Sequence, residues 1–380
     1  MPKVNGEARK RDILLPVLFT VLVVGLYFVP TGYEERVSSQ GIRCRGKVLE
    51  ADDTEIQQLG LIKKGSQSVV LKLLDGPKAG ETVEGENQLM GRMDLDKIFQ
   101  KGDTALVVLS INEEGEILYV NPQDHYRLGL ELFLLGLFAL LLVAFGGWTG
   151  AKALLSFLFT AMAIWKLLVP LLLEGYDPIL VSLVLVAVIT GAIIFLVAGL
   201  TRKGVVAFLG AFLGVLTSCL LALYFTPKFH VHGAVLPFAE TMLYSGYAHL
   251  DLTRIYIAAV FLAASGAVMD LAMDVSASLH EVASKKPDIP RGEAIRSGLS
   301  VGRAVVGTMT TTLLLAYSGG YITLLMAFMA QGVPLVNLFN LIYVGAEVLK
   351  TVVGSFGLVT VAPFTAVIGG IVYTKGRSTK

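Results

Sequence analysis

The residues best placed by type and spacing to do chemistry are Asp270 and Asp274, in the stretch Met269-Asp270-Leu271-Ala272-Met273-Asp274. Side chains four apart on a helix share one face. An ionised Asp near the centre of a bilayer costs about 2.5 to 3.5 kcal/mol on insertion scales, so it normally faces a protein interior or aqueous cavity and marks an ion or proton path. Loss of hydration and mutual repulsion both favour keeping a proton on one of the pair, with Asp270 the deeper, and a cavity that opens would release it. That is the chemistry of a proton carrier. In the plainer alternative Asp270 is a packed, protonated core residue, and Asp274, near the interface, pairs with Arg303 or Lys285. His280 and Glu281 end the same helix, where solvation is expected.

The following helix begins Gly302-Arg303-Ala304-Val305-Val306-Gly307-Thr308-Met309-Thr310-Thr311-Thr312. Small residues let helices approach, and hydroxyls can bond across them or line a polar path. Threonine can equally bond its own helix backbone. One connection after the aspartates, Thr308, Thr310, Thr311 and Thr312 make a partner surface for them, with Arg303 at its edge. Glu347 and Lys350, three apart, predict a same-face ion pair. Gly210 and Gly214 predict helix packing and no activity.

Other chemistries find no support. Two cysteines, Cys44 and Cys219, make neither a disulfide framework nor a CxxC site. His230, His232 and His249 lack a further positioned ligand, so a solvated loop is expected, with no metal and no cofactor. No GxxxxGK[ST] loop occurs, and neither does the Gly-x-Gly-Asp of intramembrane aspartyl proteases, so no catalytic residue is assigned and transport would draw on a gradient. A net charge of +1 gives no basic surface for nucleic acid.

The elements that position these residues are membrane helices. Of 380 residues, 54% are hydrophobic and only 16% charged, against roughly 25% charged in soluble domains. Apolar runs long enough to cross a bilayer lie at 13–29, 128–145, 151–173, 178–200, 204–225, 256–280, 301–331 and 346–374. The first follows Lys3, Arg9, Lys10 and Arg11 but precedes no small-residue cleavage site, so a retained anchor is expected. The run 301–331 contains Ser318-Gly319-Gly320, which predicts a break, and 335–345 alternates apolar with amide residues, which suits an interfacial segment. The expected fold is a polytopic α-helical membrane protein of about eight transmembrane helices. A small extracytoplasmic β-barrel-like domain sits between the first and second.

Charge placement supports that count. With the N-terminus inside, the cytoplasmic side receives Lys152, Arg202, Lys203, Lys285, Lys286, Arg291, Arg296 and Arg303, and eight spans return Lys375, Arg377 and Lys380 to it. Three regions follow: an anchor at 1–32, a β-rich domain at 33–125 and seven helices over 126–380, with an aromatic-rich external connection at 226–255. In the domain, 43–51, 68–74, 81–89, 104–111 and 116–120 read as five strands, closed as a small barrel. It shows no catalytic cluster, and a structural or partner-binding role is expected.

Three stretches carry a family resemblance: Gly266-Ala267-Val268-Met269-Asp270-Leu271-Ala272-Met273-Asp274-Val275-Ser276-Ala277-Ser278-Leu279-His280-Glu281; Gly302-Arg303 with Gly307-Thr308-Met309; and Glu347-Val348 with Val353-Gly354-Ser355-Phe356-Gly357-Leu358 and Pro363. Together they resemble the YibE/F-like bacterial membrane proteins, which implies the bacterial cytoplasmic membrane and no defined activity. At Ala304 the chain departs from the acid that the resemblance leads one to expect after Gly-Arg. A weaker similarity, over Asp270, Glu293-Ala294-Ile295 and Thr310 to Thr312, is to resistance-nodulation-division and SecD/SecF-type exporters, which implies proton relay by the acidic helix. The expected function is proton-coupled transport or export of an unidentified substrate. The alternative is a non-transporting scaffold or accessory subunit of a secretion or envelope complex. Expected partners are the lipid bilayer, the transported substrate, and either a second copy or an envelope protein.

Overall fold

The computed structural model describes residues 6–33, 41–112 and 114–374. Lys3, Lys375, Arg377 and Lys380, on which the charge count draws, lie outside the described residues, and so do the side chains of Arg9, Lys10 and Arg11. Internal contacts divide the chain into two units, 1–31 with 143–380, and 32–142.

The smaller unit is an antiparallel sheet of six strands: β1 Ile42–Asp52, β2 Ile56–Leu59, β3 Ile62–Leu73, β4 Thr82–Met90, β5 Thr104–Ile111 and β6 Ile117–His125. The order is β2-β3-β1-β5-β6, with β4 also on β3. Strict alternation along β3 turns Gln67, Val69, Leu71 and Leu73 inward, where they meet Val48, Phe99, Val107 and Leu109. The sheet curls until β4 meets β6: a Cβ on Gly85 would lie 2.9 Å from Val120. Six strands replace the five expected. The missed one, β2, is a four-residue ribbon folded onto β3 by the turn Gly60-Leu61, and its Gln57-Gln58 pair hides the alternation.

Two polar side chains, Gln67 and Asn87, are buried in this unit. Gln67 is fully buried, donates to the Phe99 carbonyl at 2.9 Å, and accepts from the Phe99 N–H and from Asn87 at 3.0 Å each. It thereby holds the connection between β4 and β5 against the sheet. At the surface, the Asp75 carboxylate accepts from the backbone N–H of Arg45 at 2.6 Å and from its guanidinium at 2.7 Å. These bonds hold the Asp75 carboxyl below its ordinary range.

The larger unit is helical, and the smaller unit also holds the first part of α2, up to Leu142: α1 Gly6–Phe28, α2 Leu128–Ala163, α3 Val169–Leu173, α4 Pro178–Ala198, α5 Arg202–Lys228, α6 Ala239–Tyr244, α7 Leu252–Lys285, α8 Arg291–Ser318, α9 Ile322–Ala330, α10 Leu335–Asn340 and α11 Ile342–Thr374. Among the described residues, six helical stretches are long and apolar enough to cross a membrane. One runs from Leu128 to Leu173 and covers both of the runs expected at 128–145 and 151–173. No loop separates them. The chain bends within helix at Gly147, whose φ of 53° and ψ of −129° are open to glycine and strained for other residues. Lys152, expected on the cytoplasmic side, is buried in α2. Arg291, Glu293 and Arg296 belong to the first turns of α8. The break expected near 318–320 is a 3-10 turn over Gly319–Tyr321, and 335–340 is a short helix of its own.

Helices α5, α7 and α11 pack where side chains are smallest. A Cβ on Gly357 would lie 2.0 Å from the Ser218 hydroxyl and 2.9 Å from the Gly214 carbonyl, and one on Gly210 would lie 2.0 Å from the Thr365 hydroxyl. Ser218 donates to the Val353 carbonyl at 3.3 Å across the same contact. Helix α8 closes on α11 in the same way, with Gly298 against Ala366 and Gly302 against Ala362. The spacing of Gly210 and Gly214 is thus a packing device.

Three outcomes follow from these contacts. Gly357→Val should destabilise the helical unit by about 1–3 kcal/mol and lower its melting temperature in detergent, whereas Gly136→Ala, whose added Cβ meets nothing within 4 Å, should not. Gln67→Leu strands the Phe99 N–H and carbonyl, while Asn87 keeps its bond to the Lys97 carbonyl, at a cost of about 1–3 kcal/mol for each stranded group, read as faster proteolysis between β4 and β5. Because the native Asp75 value is depressed, the stability it confers is complete above the ordinary carboxyl value of 3.8 and drains as pH falls through the native one. Asp75→Asn should flatten the acid limb of an unfolding titration.

Candidate functional site

Helix α7 has one apolar side and one side of small and acidic residues. Val268, Leu271, Ala272 and Val275 are fully buried against the core. Ala263, Gly266, Asp270 and Asp274 are exposed and follow one another along the opposite stripe. The reading of Asp270 as a packed core residue is thereby corrected: the core takes the apolar side chains, and the carboxylates are left outside it. With 34 residues in α7, Asp270 stands close to the middle of the helix. Among the described residues neither carboxylate has a hydrogen-bond or ion-pair partner. Lys285, one partner offered to Asp274, pairs instead with Glu281 at 3.1 Å. His280 lies with its ring 5.2 Å from that of Tyr373.

Glycine contacts set the register of α8 against α7. A Cβ on Gly298 would meet Leu279 at 3.3 Å, and one on Gly302 would meet Val275 at 3.7 Å. The helices run antiparallel, so Arg303 is level with Asp274, and Gly307, one turn on, is level with Asp270. Arg303 is exposed and makes no ion pair among the described residues. The expected Arg303–Asp274 pairing within the chain is absent despite this common level.

The threonines use their donors locally. Thr308 donates to the Val305 carbonyl at 3.0 Å, Thr310 to Val306 at 3.0 Å and Thr312 to Thr308 at 3.1 Å. Their oxygens remain free to accept, which suits them to solvate a proton donor or a cation. Thr308, Thr311 and Thr312 are exposed, and Thr310 is half-buried.

A second polar cluster lies toward the end of the bundle where α7 begins, α8 ends and α11 begins. The Lys350 ammonium is 3.5 Å from the Glu347 carboxylate and 5.1 Å from the centre of the Tyr317 ring. Tyr256 donates to the Ala346 carbonyl at 2.6 Å. The Tyr317 and Thr351 hydroxyls are buried without partners. The spacing of Glu347 and Lys350 pointed to the ion pair, and Thr351 was not singled out. Neither were Tyr256 and Tyr317, because they come from two other helices. Nearby, Arg254 bonds Asp177, the residue that caps α4. Burial pushes the Asp177 carboxyl up, but the N–H groups of Leu180 and Ile179 and the charge of Arg254 outweigh it and hold it below the ordinary range. About 21 Å of helix, fourteen residues at 1.5 Å each, separates Tyr256 from Asp270.

No group of three or more His, Cys, Asp or Glu able to hold a metal occurs among the described residues. His249 bonds the Leu173 carbonyl at 3.3 Å. The sheet unit carries a groove of about 660 Å³ lined by Asp52, Glu55, Glu84, Glu86, Leu118 and Tyr119.

Comparison with known families places this architecture. The family model of the YibE/F-like protein matches residues 134–375, which include α7, α8, α11 and both polar clusters. Comparisons with curated proteins and with solved structures give no match, so the likeness to resistance-nodulation-division and SecD/SecF-type exporters gains no support. On a match over well more than half its length, the chain belongs to the YibE/F-like family.

Proposed function

We propose that the chain is a proton-coupled transporter or exporter of the bacterial cytoplasmic membrane in which Asp270, assisted by Asp274, binds and releases the proton. The observation that carries this reading is the pair of unpartnered carboxylates near the middle of a membrane-length helix, outside the packed core and level with Arg303 and Gly307 on α8. An ionised carboxylate at that depth without a counter-charge is costly, and one retained there normally faces a protein interior or aqueous cavity on a path for ions or protons. Thr308, Thr310, Thr311 and Thr312 supply acceptor oxygens beside it. Eight crossings, counted as the six long stretches, with the Leu128–Leu173 stretch counted twice at its Gly147 bend, and α1, leave both termini cytoplasmic and the sheet unit outside as a small barrel. Glu347 and Lys350, in the outer cluster, then face incoming solute.

A second reading, a scaffold for an envelope complex, is favoured by the acidic groove of the sheet unit. Its four carboxylates and the apolar side chains beside them suit a basic segment of a partner protein.

Purified protein in vesicles holding a pH-sensitive dye separates the two. With a panel of solutes added under an imposed pH gradient, at least one should move protons, and Asp270→Asn should lower that rate by about 100-fold, in the range of a lost proton-transfer group. Asp274→Asn should lower it less. A rate unchanged by Asp270→Asn, or no coupled movement with any solute alongside partner capture that depends on Glu84 and Glu86, would establish the scaffold instead.

A further inference from the structure

The outer surface of the bundle is not uniform. Helix α4 exposes Leu180, Val184 and Val188, and α11 exposes Val352, Phe356 and Val359, large apolar side chains suited to lipid. Helix α7 exposes no large apolar side chain anywhere along its length, and α8 exposes none before Leu314. Their outer stripes are Gly266, Asp270 and Asp274 on one helix and Arg303, Gly307 and Thr311 on the other. A Cβ at Gly266 or Gly307 would meet nothing within 4 Å. Small residues at a membrane helix surface permit close approach of another helix, and unpaired charges there require a protein partner.

The charges identify the partner. Arg303 and Asp274 stand at one level on neighbouring helices, yet neither has an ion-pair partner among the described residues. A two-fold axis parallel to the helices leaves depth unchanged and sets each patch against its own copy. Arg303 of one copy then meets Asp274 of the other, twice, so that both of these charges are matched.

We infer that the α7–α8 face is a two-fold interface with a second copy of this chain, in which Arg303 of each copy pairs with Asp274 of the other. One turn further, Asp270 of one copy faces the Gly307 to Thr311 stretch of the other, so the site is completed only in the dimer. The inference deepens the transport reading and rests on the same site, but association is measured without transport.

Two differently tagged forms are expressed in one membrane, one carrying Asp274→Arg and the other Arg303→Asp. Each variant expressed alone places like charges opposite each other, and co-purification with its own differently tagged copy should fall at least about 10-fold. Expressed together, the two restore opposite charges at both contacts and should co-purify as the unchanged protein does. In the otherwise unaltered chain, Thr311→Cys should give disulfide-linked dimers on mild oxidation and Phe356→Cys should not; native Cys44 and Cys219 are buried. That second arm holds even if a charge variant fails to fold. Monomers throughout, cross-linking of Thr311→Cys to a cysteine introduced within residues 128–142 of the same chain, or cross-linking only to a different protein would each overturn the inference. Dimers without proton-coupled flux would overturn the transport reading alone, and flux through monomers would overturn the dimer alone.

Discussion

The helical unit depends on the close approach of α5, α7 and α11 at Gly210, Gly214 and Gly357, where hydroxyls, backbone and the Val268 side chain leave no room for a Cβ. Once α7 is seated there, its rotation is no longer free. Val268, Leu271, Ala272 and Val275 must face inward, and on a helix of 3.6 residues per turn Asp270 and Asp274 must then face outward. The same contact sets the depth of α11, and α8 follows through Gly298 and Gly302 against Ala366 and Ala362. The level of Arg303 beside Asp274 is therefore a result of glycine packing, with no attraction between the two charges required.

This arrangement separates two kinds of polar group. At one end of the bundle, Glu347, Lys350, Tyr256 and Tyr317 gather from three helices into a partly satisfied cluster. Further along α7 and α8, the aspartates and Arg303 have no partner among the described residues. A membrane protein tolerates the second condition only where something other than lipid covers the charges, and both the proposed proton path and the proposed dimer are answers to that requirement.

Much of the fold was legible in the sequence because apolar run length is a strong signal in membrane proteins. The break after Ser318 was announced by two glycines, and five of the six strands by alternation or turn residues. The bend at Gly147 was not legible as a bend, since Gly146-Gly147 in an apolar run reads equally well as a loop. Strand β2 was missed for want of alternation. The aspartates were found by type and spacing, but their side of α7 was hidden. Ala, Gly and Ser occupy both faces of that helix, so its hydrophobic periodicity is weak. Tyr256 and Tyr317 reach Glu347 only through tertiary packing, which single-chain spacing cannot express.

The central claim is that Asp270 is a proton-exchanging carboxyl within the membrane. Infrared difference spectra of the protein in lipid, recorded across a pH series, test it most directly, because a protonated carboxyl has its own carbonyl band. The account predicts a carboxyl band that titrates reversibly and disappears in Asp270→Asn while remaining, shifted, in Asp274→Asn. A spectrum unchanged by Asp270→Asn at every pH would contradict it.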